Sequence, residues 1–300
     1  MRTVSSISAQ APESLTCPCG SSPASRGRRG LWRELLRCQR CGLLAKDHLP
    51  SEDELIKWYQ EDYWERYQDE QIGTARENIY VHTLTWLRAL APHPGTLVDV
   101  GCGAGSLLVL CPQWGWKGIG FDPSSAAVAH AQTRGLDVSR QSWPPCSLAD
   151  ETVDAVTFIN VLDHLRAPFA ALTEAWRVLR PGGLLYIRVP NGPVQVRLTS
   201  LLSVIGLSHL AVIHLYAFGR TALGHHLPRL GFALVALRTA PPSQGDAYGH
   251  VGSLGAPLRR SLRRMNHLAH RLLAGLGLDR MAWGPSLEVM ARKTAHDRER

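Results

Sequence analysis

The 300-residue chain lacks a long uninterrupted apolar segment, which argues against a membrane-spanning helix. Its longest apolar stretch, from Leu198 to Phe218, is interrupted by serines, a glycine and two histidines. The first thirteen residues are polar and do not contain the apolar core of a secretory signal peptide. We therefore expect a cytoplasmic protein with reduced thiols.

The chain also has few charged residues and no internal repeat. Charged residues make up 19% and hydrophobic residues 45%, enough to bury the core of one main domain with an appendage. Seven cysteines are an odd number, and the chain is too long for a small disulfide scaffold. The net charge of +8 would suit nucleic acid, an anionic membrane or a phosphorylated substrate, or it reflects two solvated arginine runs.

From Gly95 onward, apolar strands and helices alternate, and this rhythm predicts an α/β fold with a doubly wound, mostly parallel sheet. Two of the strands, Val153–Ile159 and Leu184–Val189, are mostly apolar with little polar alternation, as expected when helices cover both faces of the sheet. The predicted strands are Thr96–Val100, Gly118–Phe121, Val153–Ile159 and Leu184–Val189. The predicted helices between them are Ser106–Cys111, Ser124–Arg134 and Phe169–Leu179.

A glycine-rich loop from Asp99 to Gly105 follows the first of these strands and opens a helix. Glycine is needed where the backbone turns sharply or lies against a ligand, and a helix N-terminus offers free N–H groups. Asp122 follows Gly101 by 21 residues, at the end of the second strand. This is the expected distance for a carboxylate that binds both hydroxyls of a ribose.

Two cofactors compete for such a loop. A dinucleotide site has the pattern Gly-x-Gly-x-x-Gly, but here the third glycine comes one residue early and Ser106 takes its place. Asp99 would repel a phosphate, whereas it could hold the ammonium group of an amino-acid-bearing cofactor, directly or through water. This comparison favours S-adenosylmethionine over a dinucleotide, and an ordinary glycine turn in an α/β sheet is the plain alternative.

Five motifs in order make residues 97–190 similar to the class I S-adenosylmethionine-dependent methyltransferases. These motifs are Leu97–Gly105, Gly118–Ser124, Thr152–Val156, Asn160–Leu165 and Leu179–Leu184. The resemblance implies a Rossmann-like fold with a seven-stranded sheet and S-adenosylmethionine as the cofactor. It also implies a closing pair of strands, one antiparallel to the rest, at Phe232–Leu237 and Ser286–Arg292.

The resemblance further implies a set of cofactor-binding residues. Asp122 would bind the ribose, Ser142 and Trp143 would lie near the adenine, and Asn160 and Val161 would line the methionine side. The full expected set is Asp99, Gly101, Cys102, Gly103, Gly105, Asp122, Pro123, Ser142, Trp143, Asn160 and Val161.

Two cysteine pairs near the N-terminus resemble the two knuckles of a zinc ribbon. Four thiolates in two close pairs can enclose a tetrahedral zinc ion. The first pair is one residue short of the usual spacing, so a degenerate knuckle with unliganded thiols is the alternative. The candidate zinc ligands are Cys17, Cys19, Cys38 and Cys41.

These features divide the chain into three predicted parts. Residues 1–48 would form the small cysteine-rich, zinc-ribbon-like module. Residues 49–94 would form a helical connector that covers the cofactor cleft, beginning with a helix capped by Ser51. Residues 95–300 would form the methyltransferase domain, with a helical insert near 251–283.

Histidines are the candidate groups at the acceptor side of the cleft. His164 follows the strand Val153–Ile159, at the sheet edge where ligands bind, and it could deprotonate an acceptor hydroxyl or amine. The Asp163–His164 pair could equally be structural. His209 and His214 are weaker candidates, because a histidine in an apolar segment is often a satisfied core residue.

The predicted insert contains an amphipathic helix, Leu258–Leu276, with leucines on one face and arginines on another. Such a helix fits peripheral contact with an anionic membrane through residues 257–276. A helix packed on its own domain, with a solvated basic face, is the alternative.

The sequence thus favours methyl transfer to a small-molecule, sugar or lipid-linked acceptor and leaves the acceptor atom open. An RNA methyltransferase with a zinc-bearing recognition module is one alternative, supported by the basic charge. However, the segment after Ile159 differs from the Asn-Pro-Pro-Tyr type of motif used for base amines, so nucleic acid is not the expected partner. A methyltransferase-like binding subunit that has lost turnover is the other alternative.

Overall fold

The computed structural model describes residues 17–19, 25–26, 35–60, 64, 68, 72–204, 214–243 and 256–295. The candidate His209 and most of the first 34 residues lie outside this part of the chain.

The larger sheet has seven strands and forms the centre of the predicted methyltransferase domain. Its strands are β4 (Thr96–Val100), β5 (Lys117–Asp122), β6 (Val138–Arg140), β7 (Val153–Ile159), β8 (Leu179–Pro190), β10 (Phe232–Thr239) and β11 (Ser286–Lys293). They lie in the order β10-β11-β8-β7-β4-β5-β6, and β11 runs antiparallel to both of its neighbours. This confirms the predicted Rossmann-like α/β fold and its antiparallel closing pair.

Helices cover both faces of this sheet, which is why β7 and the part of β8 from Gly183 to Pro190 are almost entirely buried, as their mostly apolar sequences predict. The helices are α1 (Glu52–Trp58), α2 (Glu77–Leu90), α3 (Ser106–Leu110), α4 (Ser125–Thr133), α5 (Pro168–Val178), α6 (Gly192–Val204), α7 (Arg220–Arg229) and α8 (Ala256–Gly275).

Helix α1 begins as the sequence predicts. The Ser51 hydroxyl accepts a hydrogen bond from the Glu54 backbone N–H, and the Glu54 carboxylate accepts one from the Ser51 backbone N–H. This reciprocal capping box satisfies two backbone donors that the helix itself leaves unpaired.

A second, smaller antiparallel sheet carries the cysteine pairs. It consists of β1 (Ser25–Arg26), β2 (Leu35–Arg37), β3 (Leu44–Lys46) and β9 (Tyr216–Ala217). Strand β9 comes from the far side of the chain, so main-chain pairing of β3 with β9 ties the cysteine module to the methyltransferase domain. The domain boundary at residue 48 stays a prediction.

Helix α8 has an unusual orientation for an amphipathic helix. Its apolar residues Met265, Leu268 and Leu272 are 58–64% exposed, and Leu276 just beyond it is 73% exposed. None of the described helices is both long and apolar enough to cross a membrane.

Candidate functional site

The candidate cofactor cleft lies where the strand order of the larger sheet reverses. Strand β4 is flanked by β5 on one side and by β7 on the other, and all three run parallel. The loops that leave their carboxyl ends therefore diverge and open a crevice. Ligands of open α/β sheets bind at such a switch point.

The glycine loop after β4 requires glycine at two positions that pack against neighbours. Gly101 has a φ of +67°, and a Cβ atom there would lie 2.5 Å from a methyl carbon of Val161. Gly105 has a φ of +76°, and a Cβ atom there would lie 2.4 Å from a methyl carbon of Leu136. The loop thus packs closely against Val161, which follows β7, and the role of Val161 in cofactor binding stays a prediction.

Asp122 joins the end of β5 to the glycine loop. Its Oδ2 accepts a hydrogen bond from the Gly103 backbone N–H at 2.8 Å, and its Oδ1 accepts one from the Ser124 N–H at 2.9 Å. Burial raises the pKa of Asp122, while these two N–H donors oppose the shift. A carboxylate has about four acceptor positions, so it can still receive two ribose hydroxyls beside Pro123.

Asp99 is a buried acid beneath the same loop. The Thr157 hydroxyl donates a 2.6 Å hydrogen bond to its Oδ1 from the neighbouring strand β7. Burial raises the pKa of Asp99 to about 7; the Thr157 hydrogen bond lowers it and the charge of Asp122 raises it further. A buried carboxyl in this state is stabilised as an anion when a cationic group binds beside it. Sequence reasoning missed Thr157, although it is the polar residue in the middle of an apolar strand.

Cys102 contributes a small neutral group to the loop. Burial raises the pKa of its thiol well above the ordinary value, and the charge of Asp122 adds to this shift. A Cβ atom at Gly120 would lie 2.6 Å from the Cys102 sulfur, so the loop packs closely against β5. The small size of the Cys102 side chain therefore allows the loop to pack against β5.

Asn160 lies on the other side of the cleft, where it is hydrogen-bonded to Arg188, a partner that the sequence did not indicate. Its backbone has a φ of +57°, and its side-chain oxygen accepts a 2.6 Å hydrogen bond from Arg188 on β8. Arg188 is buried and also donates to the Pro241 carbonyl at 3.2 Å. This bridge fixes Asn160 beside Val161, on the side predicted to receive the methionine end of the cofactor.

Trp143 lies in the core. Its indole N–H donates to the Ala171 carbonyl at 2.9 Å, and its ring centroid lies 5.5 Å from that of Phe121. The side chain is buried, so any contact of this segment with adenine would involve Ser142 or the backbone. The position of Ser142 and Trp143 beside the adenine stays a prediction.

Three residues converge after β7, on the side of the cleft predicted to receive the acceptor. The Nε2 atom of His164 lies 3.9 Å from Oδ2 of Asp163, and Nε2 of His214 lies 3.8 Å from the same oxygen. The two imidazole centroids are only 3.8 Å apart. Burial lowers the pKa of both histidines to about 4 and raises that of Asp163. The sequence named both histidines but gave no reason to place them together.

The four cysteines also converge. The sulfur atoms of Cys17 and Cys41 are 3.5 Å apart and those of Cys19 and Cys38 are 3.4 Å apart, and all four lie within 4.8 Å of one another. The Nε2 atom of His226, on α7, lies 3.3 Å from the Cys41 sulfur. The predicted ligand set is therefore assembled despite the short spacing of the first pair.

This arrangement fits a tetrahedral zinc ion. Zinc–sulfur bonds of about 2.3 Å place the sulfurs of such a site about 3.8 Å apart, close to the observed separations. Burial raises the pKa of the Cys41 thiol to about 11, so the cluster would be largely protonated unless a cation held it. The residues could thus hold zinc, which would act structurally because four thiolates leave no open position.

Comparison with known proteins agrees with this geometry. A family model described as a methyltransferase domain matches residues 72–237. A protein from Mycolicibacterium smegmatis, named a probable S-adenosylmethionine-dependent methyltransferase, is 32% identical over 124 residues, which are 40% of this chain and 48% of that protein. A ubiquinone biosynthesis O-methyltransferase from Paraburkholderia xenovorans is 33% identical over 137 residues, 43% of this chain and 57% of that protein.

Solved structures share the fold. An S-adenosylmethionine-dependent methyltransferase from Archaeoglobus fulgidus has a TM-score of 0.52 at 21% identity, covering 77% of this chain and 100% of that one. The magnesium protoporphyrin IX methyltransferase of Synechocystis has a TM-score of 0.54 at 15% identity, covering 81% of this chain and 99% of that one.

The family model covers more than half of the chain, and the chain therefore belongs to the class I S-adenosylmethionine-dependent methyltransferases. S-adenosylmethionine is its cosubstrate. The chain spans about half the length of the curated relatives it matches.

The raised pKa of Asp99 predicts that S-adenosylmethionine affinity depends on pH. The cofactor ammonium binds the ionised carboxylate better, so affinity should rise about tenfold per pH unit up to pH 7 and then level off. Isothermal titration at several pH values would measure this, with Asp99→Asn losing the dependence. Asp150→Asn, which changes an exposed carboxylate, should keep it. An affinity of the wild type that is constant between pH 5.5 and 7.5 would contradict the role of Asp99.

The cysteine cluster predicts tightly held zinc. Protein purified without added metal should retain about one zinc per chain in elemental analysis, and the double variant Cys38→Ser/Cys41→Ser should lose it. Cys146→Ser removes a thiol outside the cluster and should leave the zinc in place. Wild-type protein that is free of zinc would show that the four thiols are unliganded.

Proposed function

We propose that this protein methylates a hydroxyl group of a small, lipid-linked acceptor. The observation that carries the proposal is the placement of Asp163 and His164 just after β7, at the same sheet edge as the glycine loop, with His214 brought beside them from the segment before β9. Similarity to ubiquinone biosynthesis O-methyltransferases supports a small-molecule hydroxyl as the acceptor.

The proposed reaction is an in-line displacement at the methyl carbon. The acceptor oxygen forms a bond to this carbon, the carbon–sulfur bond breaks, and its electron pair returns the sulfonium to a neutral thioether. The hydroxyl proton must leave the acceptor, and His164 beside Asp163 is the proposed group that assists this transfer. The remaining contribution of the chain is alignment and exclusion of water.

A labelling experiment tests the acceptor class. Label from radioactive S-adenosylmethionine should enter the lipid-soluble fraction of a cell extract, and removing the imidazole in His164→Ala should lower this rate about a hundredfold or more. Cofactor affinity should not change, because His164 lies outside the loop that holds the cofactor.

His93→Ala, which changes an exposed histidine, is the matched control and should retain the wild-type rate. Label found only in RNA, or a fully active His164→Ala variant, would contradict the proposal.

Helix α8 supports the lipid-linked character of the acceptor. On its inner side, the His267 ring donates a 3.1 Å hydrogen bond to the Ser243 carbonyl, and His270 is half-buried. Met265, Leu268 and Leu272 recur at helical spacing on the opposite side. The apolar stripe therefore points away from the protein instead of into its core.

Charge identifies a lipid surface as the proposed occupant of this stripe. Helix α8 contains five arginines and no acidic residue, and Arg264 and Arg271 are exposed beside the leucines. Trp283, which follows helix α8 closely in sequence, is 67% exposed, and tryptophan is enriched at membrane interfaces. Each arginine near an anionic leaflet contributes about 1 kcal/mol, and each leucine that enters the acyl boundary adds about 2 kcal/mol.

Vesicle co-sedimentation tests this surface. The wild type should sediment with phosphatidylglycerol-containing vesicles and much less with phosphatidylcholine alone, and Leu268→Asp/Leu272→Asp should reduce binding at least tenfold. Ile72→Asp changes an exposed apolar residue elsewhere and should bind normally. A wild type that does not bind anionic vesicles would contradict the lipid surface. If it instead forms a dimer that the double variant abolishes, then a second copy of the chain covers the stripe.

A further inference from the structure

The Asp163 carboxylate is buried without the hydrogen bonds that such a group requires. It is 1% exposed, and neither of its oxygens has a hydrogen-bond partner among the residues that the structure describes. Burying a charged carboxylate is costly unless a cation or donors compensate it. Something must therefore supply positive charge at this position when the acid is ionised.

The two neighbouring histidines are poorly suited to supply that positive charge by becoming protonated. Their rings lie 3.8 Å apart, centroid to centroid, so protonating both would place two cations in contact. The positive charges of Arg76 and Lys46 lower the pKa of His164 further. The charge of Arg188 lowers the pKa of Asp163 and so partly balances the carboxylate. Neutral imidazoles beside a carboxylate are, however, a common donor set for a divalent metal ion.

We infer that Asp163, His164 and His214 form a second metal site, which binds a divalent first-row transition metal such as zinc. One oxygen and two ring nitrogens from these residues lie within 4.8 Å of one another. Coordination bonds of about 2.0–2.2 Å would draw them together by small side-chain rotations. The two histidine side chains are about one-fifth exposed, so the site is accessible from one side.

Such a site would differ from the cysteine cluster in its chemistry. Three protein ligands leave at least one coordination position open, whereas four thiolates close the cluster. If the proposed function holds, His164 would assist proton loss as a ligand of the cation and not as a base, because the cation would bind the acceptor hydroxyl oxygen and lower its pKa. Metal binding itself does not depend on the identity of the acceptor.

Equilibrium dialysis of the full chain against buffered micromolar zinc tests the inference. The wild type should hold about one zinc per chain more than His164→Ala/His214→Ala, because the cysteine cluster retains its own ion in both proteins. His48→Ala is the matched control, since His48 also lies 3.9 Å from a neighbouring carboxylate but is exposed on the surface. It should bind as much zinc as the wild type.

Asp163→Asn preserves the shape of the side chain and keeps the test valid if the double variant folds poorly. It should weaken zinc binding at this site at least tenfold. Cobalt added to wild type that holds zinc only in the cysteine cluster should give ligand-field absorption without thiolate charge transfer, and this signal should be missing in Asp163→Asn. Equal zinc content in wild type and variants, with no such cobalt signal, would overturn the inference whatever acceptor the enzyme uses.

Discussion

The cofactor cleft depends on one carboxylate, that of Asp122. Its two oxygens accept backbone N–H groups from both sides of the crevice, Gly103 in the glycine loop and Ser124 at the start of α4. These bonds fix the loop after β4 against the end of β5. The left-handed glycines then allow the same loop to lie against Val161 at the end of β7. Three parallel strands are thereby joined at the edge where the cofactor is predicted to bind.

The cysteine module shares main-chain and side-chain contacts with this domain. Strand β3 pairs with β9, and His226 from α7 reaches the sulfur of Cys41. Strand β9 begins two residues after His214, so the module and this histidine share one short segment. A zinc ion in the cluster would therefore stabilise the position of His214 as well as the fold of the module.

Sequence reasoning predicted features set by local pattern and could not predict those set by distant contacts. The apolar strands, the glycine loop with Asp122 and the Ser51 cap all follow from neighbouring residues. By contrast, β9 is two residues long, and Thr157 and Arg188 act only through strands adjacent in space. The pairing of His164 with His214 requires the fold, since fifty residues separate them. The amphipathic pattern of α8 predicted an apolar face but could not show that this face is exposed.

The central claim is that the loop from Asp99 to Gly105 binds S-adenosylmethionine and not a dinucleotide. Isothermal titration of the purified chain with S-adenosylmethionine and, separately, with NADH tests it most directly. The buried acids Asp99 and Asp122 predict saturable binding of one S-adenosylmethionine per chain and no detectable binding of NADH. Binding of NADH without binding of S-adenosylmethionine would contradict the assignment of this loop as an S-adenosylmethionine site.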